Sequence, residues 1–282
     1  MATRRESIEI ILPGHLRLRI MVGYEGTNYF GWQTQREGAT IQQELELALS
    51  KIFPCKPVTY SSSRTDAGVH AIGMVVHFDV PIAEWKMVPR KLILALNAHL
   101  PLDIRVSKAA RVSPDFHARF DSVGKQYRYF VWNDSAHTPL WHKTHWHVPR
   151  PLDIKAMKAA AKTLVGRHDF IAFSSSPGYT REHTIRNVRR CEVRRSGNQI
   201  TVLIEADGFL YKMCRGIAGT LVQVGEGRFT PDQVLPMIEQ KARSFAGMTA
   251  PAHGLVLWKV YYRKRGEPRR PHPADVPGPD TD

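Results

Sequence analysis

Twice along these 282 residues the same order of local patterns comes round: strand, helix, strands, helix, strand. A chain built this way can neither close as an all-helical bundle nor pack as an all-β sandwich. It predicts an α+β protein of two similar halves. In the first half Leu16, Leu18, Ile20 and Val22 alternate with Arg17, Arg19 and Met21, the period-two mark of a half-buried strand. Thr40-Ile41-Gln42-Gln43 reads as a capping box, and Ile41, Leu45, Ala48, Leu49 and Ile52 give the helical stripe behind it. Strands are expected near 57–62 and 73–80, a helix near 88–97 and a strand near 103–112.

The order restarts after Ser122. Residues 127–132 read as a strand and 153–165 as a helix, with Gly166 as its C′ residue. Segments 188–195 and 200–206 form a hairpin around Ser196-Gly197-Asn198. Ile217, Leu221 and Val224 mark another helix, Thr230-Pro231-Asp232-Gln233 caps the next, and 255–262 is a last strand. The halves are expected at 15–118 and 119–263, joined near 113–125, although no repeat is visible in the sequence itself. Residues 1–14 read as a flexible polar lead. Residues 264–282, with Pro268, Pro271, Pro273, Pro277 and Pro279, read as a disordered tail that can bury little apolar surface.

Charge narrows the function classes. Lys and Arg number 40 against 26 Asp and Glu, a formal net charge of +14, which suits a polyanionic partner such as nucleic acid. A merely basic soluble protein would show the same total. The local density at Arg181, Arg186, Arg189, Arg190, Arg194 and Arg195 favours the first reading. Cys55, Cys191 and Cys214 are odd in number and widely spaced. They are expected to be small core hydrophobes in a reducing cytoplasm rather than a disulfide framework. The N-terminus shows no signal-peptide pattern, and no apolar run is long enough for a membrane helix. Gly225-Glu226-Gly227 and the other glycines form neither a P-loop nor a GxGxxG turn, which disfavours nucleotide-dependent chemistry. His142, His145 and His147, flanked by Trp141 and Trp146, fit no zinc spacing, and packing or RNA-facing roles are expected for them.

The densest chemical signal is Ser63-Arg64-Thr65-Asp66-Ala67-Gly68-Val69-His70-Ala71. Asp-Ala-Gly favours a sharp bend, because Asp bonds its own backbone and Gly tolerates positive φ. The apolar run that follows makes Asp66 the head of a loop feeding a sheet, beside the fixed cation Arg64. By itself such a turn is also compatible with a solvated ion pair worth about 0–1 kcal/mol.

Arg64 to Ala71 resembles the signature of the TruA family of tRNA pseudouridine synthases. Five further blocks follow the family in order: residues 24–35, Asn97-Ala98-His99-Leu100-Pro101 with 104–106, Phe116-His117-Ala118-Arg119-Phe120 with 125–129, 208–215 and 250–255. Together they span about residues 16–262. Two departures are Ser63 where the signature usually opens with Gly, which questions the local backbone, and Glu25 where Asp is usual.

The resemblance implies the pseudouridine synthase fold: two α+β halves whose mixed, largely antiparallel sheet is joined and flanked by helices, with a basic cleft between them. It implies isomerisation of uridines at positions 38 to 40 of the tRNA anticodon stem-loop, with no cofactor or metal, by a cytoplasmic homodimer without membrane association. Asp66 maps onto the catalytic aspartate, which either attacks a carbon or removes a ribose proton. Arg215 maps onto the arginine that keeps this carboxylate ionised and aimed. Arg64 maps onto the arginine that engages RNA and displaces the target base, and Tyr127 onto the tyrosine that stacks on the flipped uracil. Tyr129 is expected to pack, and 174–181 to form a loop that closes over RNA. Rival readings are a catalytically idle RNA-binding or chaperone protein on this scaffold, or a synthase with other RNA target positions.

Overall fold

A computed structural model describes residues 11–175, 183–239 and 247–263. Among the described residues there are ten strands and five α-helices. The first half holds β1 (His15–Tyr24), α1 (Ile41–Ser50), β2 (Tyr60–Ser61), β3 (His70–Pro81), α2 (Pro89–His99) and β4 (Ile104–Val112). The second holds β5 (Ser122–Trp132), β6 (Trp146–His147), α3 (Ile154–Thr163), β7 (Gly166–Asp169), β8 (Ile185–Ser196), β9 (Gln199–Ala206), α4 (Met213–Gly225), α5 (Val234–Glu239) and β10 (Leu255–Tyr262).

All ten strands form one sheet in the order β4-β1-β3-β10-β5-β9-β8-β7, with β2 added to β3 and β6 to β5. The sheet is mixed and largely antiparallel, as expected; only the β3–β10 and β5–β6 pairs run parallel. The last strand among the described residues, β10, thus lies between β3 and β5. It meets β3 through His70↔Val256 and Ala71↔Leu257, and pairs with β5 on its other side. This seam places the end of the Asp66 turn beside β10.

Local chemistry accounts for the elements. Thr40 caps α1 by accepting the Gln43 backbone N–H, one half of the expected capping box, and Ile41, Leu45, Ala48 and Leu49 are buried. Pro89 opens α2, where its missing N–H is harmless. Asp153 caps α3 at the Ala156 N–H. That helix ends at Thr163, with Leu164 as its C-cap, so Gly166 is not its C′ residue; it opens β7 at φ +122°. The two-residue turn Gly197-Asn198 closes the β8–β9 hairpin on the pair Ser196↔Gln199. The Thr230 capping box is complete, but it caps a 3-10 turn, Pro231–Gln233, that leads into α5.

Two expectations on burial are corrected. Arg17 was expected on the solvated side of its strand; it is 3% exposed. Its Nε and Nη2 each lie 2.7 Å from the carboxylate of Asp79, its register partner, and Nη1 donates to the Phe116 carbonyl at 2.9 Å. A bidentate partner is what lets a guanidinium leave water. Cys191 and Cys214 are buried as expected, but Cys55 is exposed, in the turn after α1, where its N–H donates to Glu84. Residues 1–10 of the expected lead, 176–181 of the expected RNA loop and the whole 264–282 tail lie outside the described residues. Residues 11–14 include a turn whose Gly14 carbonyl accepts the Ile82 N–H. No helix among the described residues is long and apolar enough to cross a membrane.

Candidate active site

Asp66 stands in the turn between β2 and β3, and that turn is held from several sides. The Asp66 carbonyl accepts the Val69 N–H at 3.1 Å, with Gly68 at φ +75°. The Trp32 N–H donates to the Thr65 carbonyl at 3.1 Å, and the Tyr24 and Thr65 hydroxyls bond at 2.7 Å. Gly31 presses onto the same backbone. A Cβ there would lie 2.5 Å from the Thr65 carbonyl oxygen and 3.1 Å from the Asp66 carbonyl carbon, and its φ of +89° already demands glycine. The sequence block around Gly31 therefore serves the turn directly.

Arg215 reaches the carboxylate from α4. Every residue of that helix is buried except Arg215. Its Nη1 lies 3.4 Å from Asp66 Oδ2, while its Nε donates to the Ala250 carbonyl at 2.8 Å. The two side chains are 15% and 21% exposed. Burial pushes the Asp66 carboxyl above its ordinary value. Arg215, and more weakly Lys212, pull it down without cancelling that effect. The expected influence of the arginine is present, but desolvation is the larger of the two. The outcome is a half-buried carboxylate that is poorly solvated, aimed by one guanidinium, and more basic than a surface aspartate. Such a group can serve as nucleophile or base.

Tyr127 lies on β5 in the same neighbourhood. It is 7% exposed, and Phe209 meets its ring edge-on at 5.0 Å between centroids. Burial pushes its pKa up, and the nearby Ser63 side chain opposes that push. Ser63 itself is not in the left-handed region, so serine in place of glycine strains nothing. Tyr129 packs as expected: it is fully buried and donates its hydroxyl to the Pro251 carbonyl at 2.8 Å. Arg64 sits exposed on the rim of the turn. Asp66, Arg215 and Tyr127 therefore share one half-buried site, with Arg64 at its edge.

The three neighbouring histidines do not converge. His142 Nδ1 contacts the Pro139 carbonyl at 2.6 Å and His147 Nε2 the Asp134 carbonyl at 2.8 Å, while His145 lies buried between the rings of Phe130 and Trp141. Among the described residues no three His, Cys, Asp or Glu side chains are grouped to hold a metal ion. Along β8, Arg190 and Arg194 both clasp Glu192, so part of that arginine density is neutralised locally; Arg181 lies outside the described residues.

Sequence reasoning assigned no role to three residues close to this site. Lys212 holds φ +59° at the N-cap of α4, three positions before Arg215, and a non-glycine residue there costs of order 1 kcal/mol or more. His70 and His253 bond to one another across the β3–β10 seam. Nothing local in the sequence reports either feature, because both depend on elements distant in the chain.

A family model described as tRNA pseudouridine synthase matches residues 20–121 and 160–263. A tRNA pseudouridine synthase A of Myxococcus xanthus is 42% identical over 268 residues, 94% of this chain and 97% of the relative. The protein of the same name from Bacillus licheniformis is 42% identical over 252 residues, 88% of this chain and 99% of the relative. That of Exiguobacterium sibiricum is 41% identical over 248 residues, 87% and 96% respectively. With matches of this extent and a carboxylate–guanidinium pair at the head of the shared sheet, the chain belongs to the tRNA pseudouridine synthase family.

Proposed function

We propose that this chain isomerises uridines at positions 38 to 40 of the tRNA anticodon stem-loop to pseudouridine, with Asp66 as the catalytic carboxylate. The observation that carries the assignment of Asp66 is its half-buried pairing with Arg215. A carboxylate held in a basic protein, away from water and against one cation, is unnecessary for RNA binding alone.

The reaction breaks the N1–C1′ bond of uridine, turns the base, and joins C5 to C1′. C5 gives up its hydrogen to solvent and N1 gains one. Nothing is oxidised or hydrolysed, so the chemistry asks for no cofactor. The target base must leave its stack, at a cost of a few kcal/mol that protein contacts offset. Arg64, on the exposed rim, meets RNA and takes the vacated place. Tyr127 stacks on the uracil, and its hydroxyl, beside Ser63, serves proton transfer. Asp66 either attacks a carbon or removes a ribose proton; its raised basicity suits both routes. Arg215 aims it. Phosphate contacts by the excess cations supply most of the affinity, which should fall steeply with salt.

The division into halves at 15–118 and 119–263 belongs to the same reading, supported by a family model that matches in two stretches. So do a homodimer that shares one tRNA and a cytoplasmic location. The test is tritium release from tRNA carrying C5-tritiated uridine, without added metal or nucleotide, for wild type and Asp66→Asn. Release by wild type alone is expected. Absence of release while tRNA stays bound would replace this reading with that of an RNA-binding protein.

A further inference from the structure

The segment 250–254 meets Arg215 and the turn that carries Asp66. The Ala250 carbonyl takes the Arg215 Nε, the Pro251 carbonyl takes the Tyr129 hydroxyl, and the methyl of Ala252 faces Gly68. The His253 carbonyl takes a ring nitrogen of His70 at 2.9 Å. The other ring nitrogen of His70, Nδ1, lies 2.9 Å from the Gly26 backbone nitrogen. Gly26 N–H can only donate, so Nδ1 must present its lone pair. The proton therefore sits on Nε2 and is donated to the His253 carbonyl. His70 is 3% exposed, so water cannot substitute for either bond.

We propose that His70, as the neutral Nε2–H tautomer, is a positioning residue for the isomerisation, bolting the Asp66 turn to the 250–254 segment that anchors Arg215. This rests on the synthase reading above. His70 stands four residues after Asp66, at the head of β3, and its two bonds run to the N-terminal loop and to the segment before β10. The Asp66–Arg215 separation is thus set from both ends: by the turn that His70 fastens, and by the Ala250 carbonyl on the segment it fastens to. A second link extends the bracket, since His253 Nε2 meets the His145 carbonyl at 3.2 Å.

Protonation would undo the bolt. An imidazolium would point Nδ1–H at the Gly26 N–H, and one side would have to move. The titratable groups facing His70 are Glu25 and His253, with the backbone of Lys143 beside them. Glu25 Oε1 is 4.0 Å from Nδ1 but already accepts the Thr27 N–H, while Oε2 engages Lys143 at 3.4 Å. Burial holds His70 below the ordinary histidine value, in keeping with the neutral form.

Two substitutions divide the bolt. In His70→Asn the amide oxygen can still accept from Gly26 but cannot reach the His253 carbonyl. In His70→Gln the amide can donate to that carbonyl but leaves Gly26 without its acceptor. Both variants are expected to lose roughly tenfold or more in single-turnover rate, with tRNA Kd changed less than about twofold, because misplacement of a reacting group affects the chemical step first. The acid limb of the wild-type rate profile is expected to be steeper than that of His70→Gln, by the proton that His70 takes up. Nitrogen-15 spectra of labelled histidine should show the Nε2–H tautomer for His70 at pH 7.5, a readout that stands even if the protein proves to act on no uridine. An Nδ1–H tautomer or an imidazolium would overturn the proposal. So would an unchanged rate in both variants, or loss of rate and affinity in step with unfolding.

Discussion

Arg215, on α4, and Asp66, in the turn before β3, are 149 residues apart in sequence and meet at 3.4 Å. Neither is fully buried, and neither has the other as its sole support. The carboxylate rides on a turn clamped by Gly31 and Thr65, and the guanidinium is tied to the Ala250 carbonyl. Two independent supports convert a pair that would be worth little on a surface into a fixed geometry.

Arg215→Gln should therefore act on both rate and pH dependence. Arg215 lowers the Asp66 pKa against the upward push of burial, so its removal should raise that pKa further. The active form is the carboxylate, and the acid limb of kcat should move to higher pH. At neutral pH the rate should fall by roughly 10–100-fold, as expected for a lost charged positioning contact. A pH–rate profile measured under single-turnover conditions checks this. An unmoved acid limb would mean that Arg215 does not influence the carboxylate.

Asp66→Asn should be inactive yet no less stable than wild type near neutral pH. The sign follows from the raised pKa. A carboxyl whose folded pKa lies above its unfolded value, about 3.9, favours the fold in its protonated form. That stability is fully present below the unfolded pKa and is lost as pH rises through the folded pKa. Asparagine mimics the protonated form, so the advantage of the variant should exist above the folded pKa and vanish in acid. Thermal melts across pH 3 to 8 measure it directly.

How far the sequence disclosed this arrangement depends on the range of the signal. The hairpin at 196–199 and the strand at Leu255–Tyr262 were legible because alternation and turn residues are local. The placing of β10 between β3 and β5 was not, since no local pattern records which strands a strand joins. The two-residue strands β2 and β6 are too short to show a period. The stripe Ile217, Leu221, Val224 disclosed α4 but not its burial on nearly all sides, and so not that Arg215 is its one open position. Asp66, Arg64, Tyr127 and Arg215 came from resemblance rather than from physics. Turn chemistry alone singled out Asp66 but could not separate it from a solvated ion pair. The role of Gly31 and the tautomer of His70 needed coordinates, because each depends on a backbone group of another segment.

Gly31→Ala should damage stability and activity together. The position has φ +89°, and the new methyl would sit 2.5 Å from the Thr65 carbonyl oxygen. Strain of this kind costs of order 1–3 kcal/mol. The turn must shift to relieve it, and Asp66 shifts with it. Urea unfolding and the single-turnover rate should both show the loss, and a variant with wild-type rate would show that the turn tolerates displacement.

Asp79→Asn tests the buried pair behind β1. Arg17 would lose its bidentate partner while remaining 3% exposed, keeping only neutral acceptors such as the Phe116 carbonyl. Breaking one side of a buried ion pair typically costs about 3–5 kcal/mol. The pair is remote from the site's own hydrogen bonds, so the loss should appear in the urea midpoint with little change in the rate of the folded fraction.

Tyr127→Phe separates chemistry from stacking. The ring, 7% exposed and edge-on to Phe209, is unchanged by loss of the hydroxyl. Stacking on a flipped base, and hence tRNA affinity, should survive. If the hydroxyl beside Ser63 moves a proton in the reaction, the rate should fall by about 10²-fold, the lower range for a lost acid–base group. Ser63→Ala removes only a hydroxyl near that of Tyr127 and should give a smaller loss of the same kind. Rate and affinity falling equally in Tyr127→Phe would assign the hydroxyl to structure. A changed affinity with an unchanged rate would move Tyr127 from the chemistry to the binding of RNA.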